Sequence, residues 1–208
     1  MGFYETRILP HILDKACSIS SVTELRRQLV PQCHGTVLEV GIGSGLNLPF
    51  YDPGRVDKLY GLEPSEAMRR KARRPIARAP LPVDWLGLPG EAIPLEDESV
   101  DTLLLTFTLC TIPDWREALE QMHRVLRPEG QLLFLEHGRC PSPGVRSWQD
   151  RLTPVWKKLA GGCHLNRPID ELLTGSGFHI DKLDNFYLPK APRLAGYLYM
   201  GRATKTAP

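Results

Sequence analysis

Apolar and polar positions divide the chain into short buried runs separated by helical stripes. Thr36 to Val40 (TVLEV) and Leu59 to Leu62 are β-prone runs ending at a glycine cluster and at Glu63. Val83 to Leu86 predicts a third strand. Val100 to Phe107, apolar almost throughout, predicts a central parallel strand covered on both faces. Gln131 to Glu136 predicts a fifth strand, entered through a turn at Pro128-Glu129-Gly130, and Phe178 to Phe186 and Tyr197 to Ala203 predict the terminal strands.

The intervening segments carry helical spacing. Ser65 caps a helix through Ala67, Met68 and Ala72 that Pro75 is expected to end. Asp114 and Glu117 have capping-box spacing before Trp115, Ala118, Leu119, Met122, Val125 and Leu126. Trp148, Leu152, Val155, Trp156 and Leu159 predict a further helix, with a short one from Ile169. Residues 3–30 read as one or two helices with an apolar stripe at Ile8, Ile12, Leu13 and Ala16, blurred at its start by Pro10. Alternating strands and helices imply an α/β fold, a doubly wound, mostly parallel seven-stranded sheet preceded by N-terminal helices. A chain of 208 residues fits one such domain, with 1–30 as a helical cap and 31–208 as the core.

Composition narrows the function classes. Charged residues at 24% and apolar residues at 42% match a water-soluble globular chain. The runs Leu103 to Phe107 and Leu132 to Leu135 fall far short of the roughly 20 residues that span a bilayer. Glu5 and Pro10 interrupt the place where a signal peptide carries its apolar core. Five cysteines, Cys17, Cys33, Cys110, Cys140 and Cys163, form an odd set without CxxC spacing, so free thiols in the cytoplasm are expected. No cysteine or histidine pair has finger-like spacing, and no metal is expected. A net charge of +2 is too small for a general nucleic-acid binder. Arg69, Arg70, Lys71, Arg73, Arg74 and Arg78 form one basic cluster, either a solvated helix face or a contact for phosphates or anionic lipid.

The strand ends carry the candidate chemistry, because ligands of open α/β sheets lie beyond the carboxyl ends of the strands. The first strand runs into Glu39-Val40-Gly41-Ile42-Gly43-Ser44-Gly45, where positions without side chains let a ligand approach the backbone. Leu46 stands where a dinucleotide fingerprint needs its third glycine, so the spacing is GxGxG and NAD is disfavoured. Glu63 follows Gly41 by 22 positions and ends the second strand, where a carboxylate accepts from both hydroxyls of a ribose.

With these segments on the page (EVGIGSG, GLEPS, GEAIPLEDESVD and VLRPEGQLLFLEH), residues 35–137 resemble the class I S-adenosylmethionine-dependent methyltransferases, particularly their ubiquinone-biosynthesis-like branch. The resemblance implies S-adenosylmethionine as cofactor. It places Gly41, Gly43 and Gly45 at the methionine part, Glu63 at the ribose, and Glu91-Ala92 at the adenine. Glu39, Asn47, Pro64, Thr106 and Phe107 complete the expected cofactor set. Ile42 and Ser44 stand where relatives often have Cys and Thr. Glu136-His137, DRLTPVW (Asp150 to Trp156) and GCHLNR (Gly162 to Arg167) are similar to the alkyl-thiol methyltransferases of the methyltransferase-like 7 group, and bacterial phospholipid N-methyltransferases share part of this pattern.

The preferred reading is a methyltransferase for a small molecule, with a thiol as acceptor. The alternatives are a phospholipid N-methyltransferase that makes a peripheral membrane contact and a catalytically silent S-adenosylmethionine-binding protein. Displacement at a sulfonium methyl needs alignment first. His137, at the end of strand five, is the expected base for a thiol, whose reference pKa is about 8.5. Tyr4, Trp148 and Trp156 are expected to wall the acceptor pocket, with Cys110 and Asn166 beside them. Thr106-Phe107-Thr108-Leu109 lacks the Asn/Asp-Pro-Pro-aromatic signature of base methylation, so nucleic acid is not expected as acceptor.

Overall fold

The computed structural model describes residues 4–206, so the start of the expected cap, at Phe3 and before, lies outside the described residues. Its seven strands are β1 (Gly35–Val40), β2 (Val56–Leu62), β3 (Val83–Leu86), β4 (Val100–Thr106), β5 (Leu126–His137), β6 (Phe178–Tyr187) and β7 (Tyr197–Lys205). They form one sheet in the order β3-β2-β1-β4-β5-β7-β6. β1 to β5 are mutually parallel, and β7 runs antiparallel between β5 and β6. The order reverses between β1 and β4. Val40 pairs there with Leu62 on one side and Leu105 on the other, so the three strands end level and their loops share one crevice.

Alternation along β4 and β5 divides two cores. Leu103, Leu105, Leu132 and Phe134 pack with the helices α4 (Trp115–Val125) and α6 (Ile169–Thr174) through Ala118, Leu119, Met122, Ile169 and Leu173. Leu104, Leu133 and Leu135 face the opposite side with Val22 and Leu29 of α2 (Ser20–Leu29). These strand leucines are fully buried, each worth about 1.5–3 kcal/mol. α4 is capped as its spacing predicts, with the Asp114 carboxylate accepting from the Glu117 N–H at 3.3 Å. Ser65 likewise caps α3 (Glu66–Ala77) by accepting from the Met68 N–H.

Several expectations need correction. Pro75 does not end α3; it sits in the last turn, which runs on to Ala77. Pro128-Glu129-Gly130 is no separate turn. β5 begins at Leu126, paired with Val100, and the next pair is Thr102 with Gln131, so the three residues bulge within the strand. The N-terminal helix α1 (Leu9–Cys17) buries Leu9 and Pro10; of the apolar stripe, Leu13 is half-buried, while Ile12, Ala16 and Ile8 just before the helix are exposed. α5 (Pro143–Leu159) behaves similarly. It turns Gln149 and Thr153 inward and leaves Trp148, Val155 and Leu159 exposed.

Candidate active site

The glycine loop is held by backbone geometry. Gly41 and Gly43 take left-handed φ values of 75° and 58°, which side chains on L-residues disfavour. A Cβ on Gly41 would meet the Thr108 side chain at 2.4 Å, so that glycine is required by packing. Gly43 differs. A Cβ there would meet nothing nearer than the Met68 methyl at 3.4 Å, so the space above its backbone is open to a ligand. Glu63 borders the same space. Its Oε2 accepts from the Gly43 N–H at 3.1 Å and its Oε1 from the Ser65 N–H at 2.8 Å. Each oxygen keeps a lone pair for a hydroxyl. Burial raises the Glu63 pKa against the pull of those two N–H groups and of Arg69. An open glycine cradle beside a carboxylate with acceptor capacity fits the methionine and ribose parts of S-adenosylmethionine.

Below the loop lies a buried polar network. Both Glu39 oxygens are used, one by Asn47 Nδ2 and one by the Tyr51 hydroxyl, each at 2.8 Å. Asn47 accepts from Arg26 Nη1 at 2.6 Å, and both Asn47 and Arg26 donate to Thr106 Oγ1 at 3.0 Å. The Arg26 guanidinium stands 5.7 Å from the Phe107 ring centre. Glu39, Asn47 and Thr106 therefore shape the floor of the loop. Arg26, from α2, belongs with them and was not expected. A basic residue in an amphipathic helix reads as surface, and only the tertiary fold buries it. Phe107, the residue after β4, has a φ of 56°, unusual for a bulky residue and worth about 1–3 kcal/mol of strain held at this crevice.

The N-terminal helices close over the loop. Asp14 of α1 accepts from the Ser44 hydroxyl and pairs with Lys71 of α3 at 3.1 Å, while Lys71 also donates to the Pro10 carbonyl. Ser44 and Lys71 hold the Asp14 carboxyl below its ordinary range even though burial pushes the other way. A cavity of about 360 Å³ lies between α1, α2, α3 and the loop, with Asp14, Arg26, Ser44 and Lys71 in its wall. Gly45 and Leu46 of the loop also line it, and Glu63 and Glu91 lie outside it. The basic cluster divides accordingly. Arg69 donates to the Glu63 carbonyl, Arg70 pairs with Glu66, and Arg73, Arg74 and Arg78 lie exposed.

At the ends of β4 and β5 stands a second group. Glu136 is fully buried and accepts from the N–H groups of Thr108, Leu109 and Cys110, which fixes the loop after β4. Arg167 clamps the same loop by donating to the carbonyls of Leu109 and Ile112. The His164 N–H donates to the Cys110 carbonyl at 2.8 Å. Cys110, His137 and Cys163 are thereby brought together, with His137 Nε2 at 2.8 Å from Cys163 Sγ and the two sulfurs 3.9 Å apart. The Cys163 thiol is drawn down to about 4, first by Cys110 and then, against burial, by His137. Burial opposes charge on His137, yet Cys163 and then Glu136 carry it above the usual imidazole value. Of the five cysteines, Cys110 and Cys163 thus meet although their spacing in the sequence did not suggest it.

The remaining expected residues are less concentrated. Pro64 is exposed beside Glu63. Glu91 accepts from the Asp114 N–H at 3.2 Å, and Ala92 is exposed next to it. The Tyr4 hydroxyl donates to the Leu159 carbonyl at 2.6 Å and so ties the N-terminus to the end of α5. Trp148 is 54% exposed on the outer face of α5 and lies outside the cavity beside the glycine loop. Trp156 is partly exposed but bears on the Cys163 thiol. Asn166 donates to Asp150 at 2.7 Å on the surface.

Comparison with known proteins agrees with this architecture. A family model described as a methyltransferase domain matches residues 38–134. The thiol S-methyltransferase TMT1B of Homo sapiens is 30% identical over 86% of this chain and 78% of its own length. TMT1A of Homo sapiens is 31% identical over 78% of this chain and 69% of its own. The match to TMT1B of Rattus norvegicus is 35% identical but covers 64% of this chain and only 55% of that protein. A phosphatidylethanolamine N-methyltransferase of Cereibacter sphaeroides is 33% identical over 50% of this chain and 51% of its own. Among solved structures, the YcgJ protein of Bacillus subtilis superposes with a TM-score of 0.70 at 14% identity, covering 89% of this chain and 98% of its own. A methyltransferase of Thermotoga maritima gives 0.67 at 21% identity over 97% and 99%.

Proposed function

This chain belongs to the S-adenosylmethionine-dependent methyltransferase family, and from that premise we propose that it methylates the sulfur of a small, apolar thiol. Bound S-adenosylmethionine supplies an electrophilic methyl group on a sulfonium. Gly43 offers its open backbone to the methionine part, Glu63 accepts from the ribose, and Glu91 with Ala92 borders the adenine. The glycine loop is kept in shape by the Glu39, Asn47, Thr106 and Arg26 network below it, and α1 limits water above it through Asp14.

The observation that carries the acceptor reading is the buried group of Cys110, His137 and Cys163 at the ends of β4 and β5. It gathers sulfur and imidazole at the strand ends, the side of an open α/β sheet on which ligands lie. A thiolate is strongly nucleophilic even as a minor species near neutral pH, whereas an ammonium must first lose its proton. His137, with Cys163 against its Nε2, favours the anionic form of the acceptor sulfur. The names of the thiol S-methyltransferase relatives point the same way. Incubation with methyl-labelled cofactor and a short alkyl thiol, followed by mass spectrometry, tests the reading. A labelled thioether supports it, and its absence from a cofactor-binding protein refutes it.

A second reading has its own observation. Ile12 on α1, Ile8 just before it, and Trp148, Val155 and Leu159 on α5 are exposed, as are Lys157 and Lys158 of α5. This face suits a peripheral contact with a lipid surface, through which apolar acceptors would arrive. Among the described residues, no helix is long and apolar enough to cross a membrane.

A further inference from the structure

We infer that Cys110, His137 and Cys163 form a three-ligand site for a zinc ion whose fourth position takes the acceptor thiol. The inference deepens the thiol reading and rests on it for that fourth ligand.

The ligand atoms come from three separate elements, the loop after β4, the end of β5 and the segment after α5, and all lie within 4.8 Å of one another. All three residues are buried. Tetrahedral zinc with sulfur ligands at about 2.3 Å sets its sulfurs about 3.8 Å apart, close to the 3.9 Å between Cys110 and Cys163. His137 Nε2 and Cys163 Sγ, at 2.8 Å, now share a proton, and the spacing opens by several tenths of an ångström when a metal replaces it. His137 Nδ1 makes no hydrogen bond among the described residues, and Nε2 is the ring nitrogen that faces the Cys163 sulfur and would serve the metal.

The donor set selects the ion. Two thiolates and an imidazole suit zinc, and hard cations such as magnesium want oxygen ligands. A divalent ion with two thiolates and a neutral imidazole carries no net charge, which suits a buried position. The ligands are also held in advance. Glu136 and Arg167 fix the loop bearing Cys110, and the His164 N–H joins that loop to the segment bearing Cys163. Three protein ligands with one open position characterise catalytic zinc, and four describe structural zinc. When an acceptor thiol enters the open position, its sulfur–metal bond forms as the S–H bond breaks. The proton leaves to water and the sulfur remains anionic at neutral pH.

The test uses the full chain, reduced and purified without a histidine tag. Zinc is measured by elemental analysis, then removed by chelation and replaced with cobalt(II). The expected result is stoichiometric metal, visible bands of four-coordinate cobalt with a near-ultraviolet thiolate band, and a change in those bands on adding an alkyl thiol without S-adenosylmethionine. Cys163→Ser and Cys110→Ser should each weaken cobalt binding more than ~10-fold, while Cys140→Ser should leave it unchanged. A folded, reduced wild-type protein that gives no thiolate–cobalt band overturns the inference, and so do bands that ignore the thiol. Full-rate thiol methylation by metal-free protein also overturns it and leaves the proposed function standing. Thiolate–cobalt bands without any thiol turnover uphold the metal ligands and refute the thiol reading instead.

Discussion

Glu63 and Gly43 are joined by a hydrogen bond of 3.1 Å from the glycine N–H to the carboxylate, across 20 residues of sequence. The bond aligns the end of β2 with the loop after β1, and the Ser65 N–H holds the other carboxylate oxygen. Glu63→Ala should weaken S-adenosylmethionine binding by about 1.5–3 kcal/mol, the worth of hydrogen bonds to a charged group. Calorimetric titration of a folded variant measures it, and unchanged affinity removes Glu63 from the site.

The same carboxylate predicts a pH dependence. Burial raises the Glu63 pKa, so it protonates at higher pH than an ordinary glutamate, and the protonated form accepts poorly from the ribose. Cofactor affinity should be full near neutral pH and fall as pH drops through that raised value. The fall should begin above the usual carboxylate range and be missing in Glu63→Gln, which starts weaker and stays flat. A parallel fall in both proteins counts against this origin.

Gly43→Val should abolish measurable cofactor binding while leaving the fold formed. The protein itself leaves room for a Cβ, with Met68 nearest at 3.4 Å, so the cost falls on the ligand and on the left-handed backbone. Gly41→Val should differ by failing to fold, because Thr108 occupies its space. Thermal melts and titrations of the two variants separate these outcomes.

Asp14 ties α1 to Ser44 and Lys71. Its carboxyl is held below the ordinary range, so the tie is complete above the unfolded-state pKa and is lost only as pH falls through the lowered folded value. Asp14→Ala should therefore loosen α1 at neutral pH. Hydrogen exchange should rise in 9–17 with little change in β4 or β5, and cofactor dissociation should quicken. Unchanged exchange in α1 contradicts a closing role.

His137→Ala should leave cofactor affinity nearly intact and slow turnover by roughly 10²-fold, the lower end of what a group at the reacting atom contributes. Single-turnover rates with saturating cofactor measure it. An equal loss in cofactor binding moves His137 to the cofactor side.

Much of this arrangement was legible in the chain. The apolar run at Leu103 to Leu105 and the Asp114 cap read directly, because strand burial and capping are local signals. The GxGxG spacing with Glu63 was legible because a backbone cradle and its carboxylate recur at fixed strand ends. Arg26, Asp14 and the Cys110–Cys163 pair were not. Arg26 reaches Thr106 across 80 residues, and the two cysteines meet across 53, through loops whose path local patterning does not determine. The outward face of α5 misled for the opposite reason. Its Trp148, Val155 and Leu159 have core spacing, but none of the described residues covers them.

The central claim is methyl transfer to a small thiol, and it is tested most directly by initial rates with labelled S-adenosylmethionine on two acceptors side by side. One is a soluble alkyl thiol and the other is phosphatidylethanolamine in vesicles, each at two salt concentrations. The account predicts turnover of the soluble thiol without vesicles and little dependence on salt, since a neutral acceptor gains nothing from exposed charge. Turnover confined to vesicles, rising with anionic lipid and falling with salt, would contradict the thiol assignment.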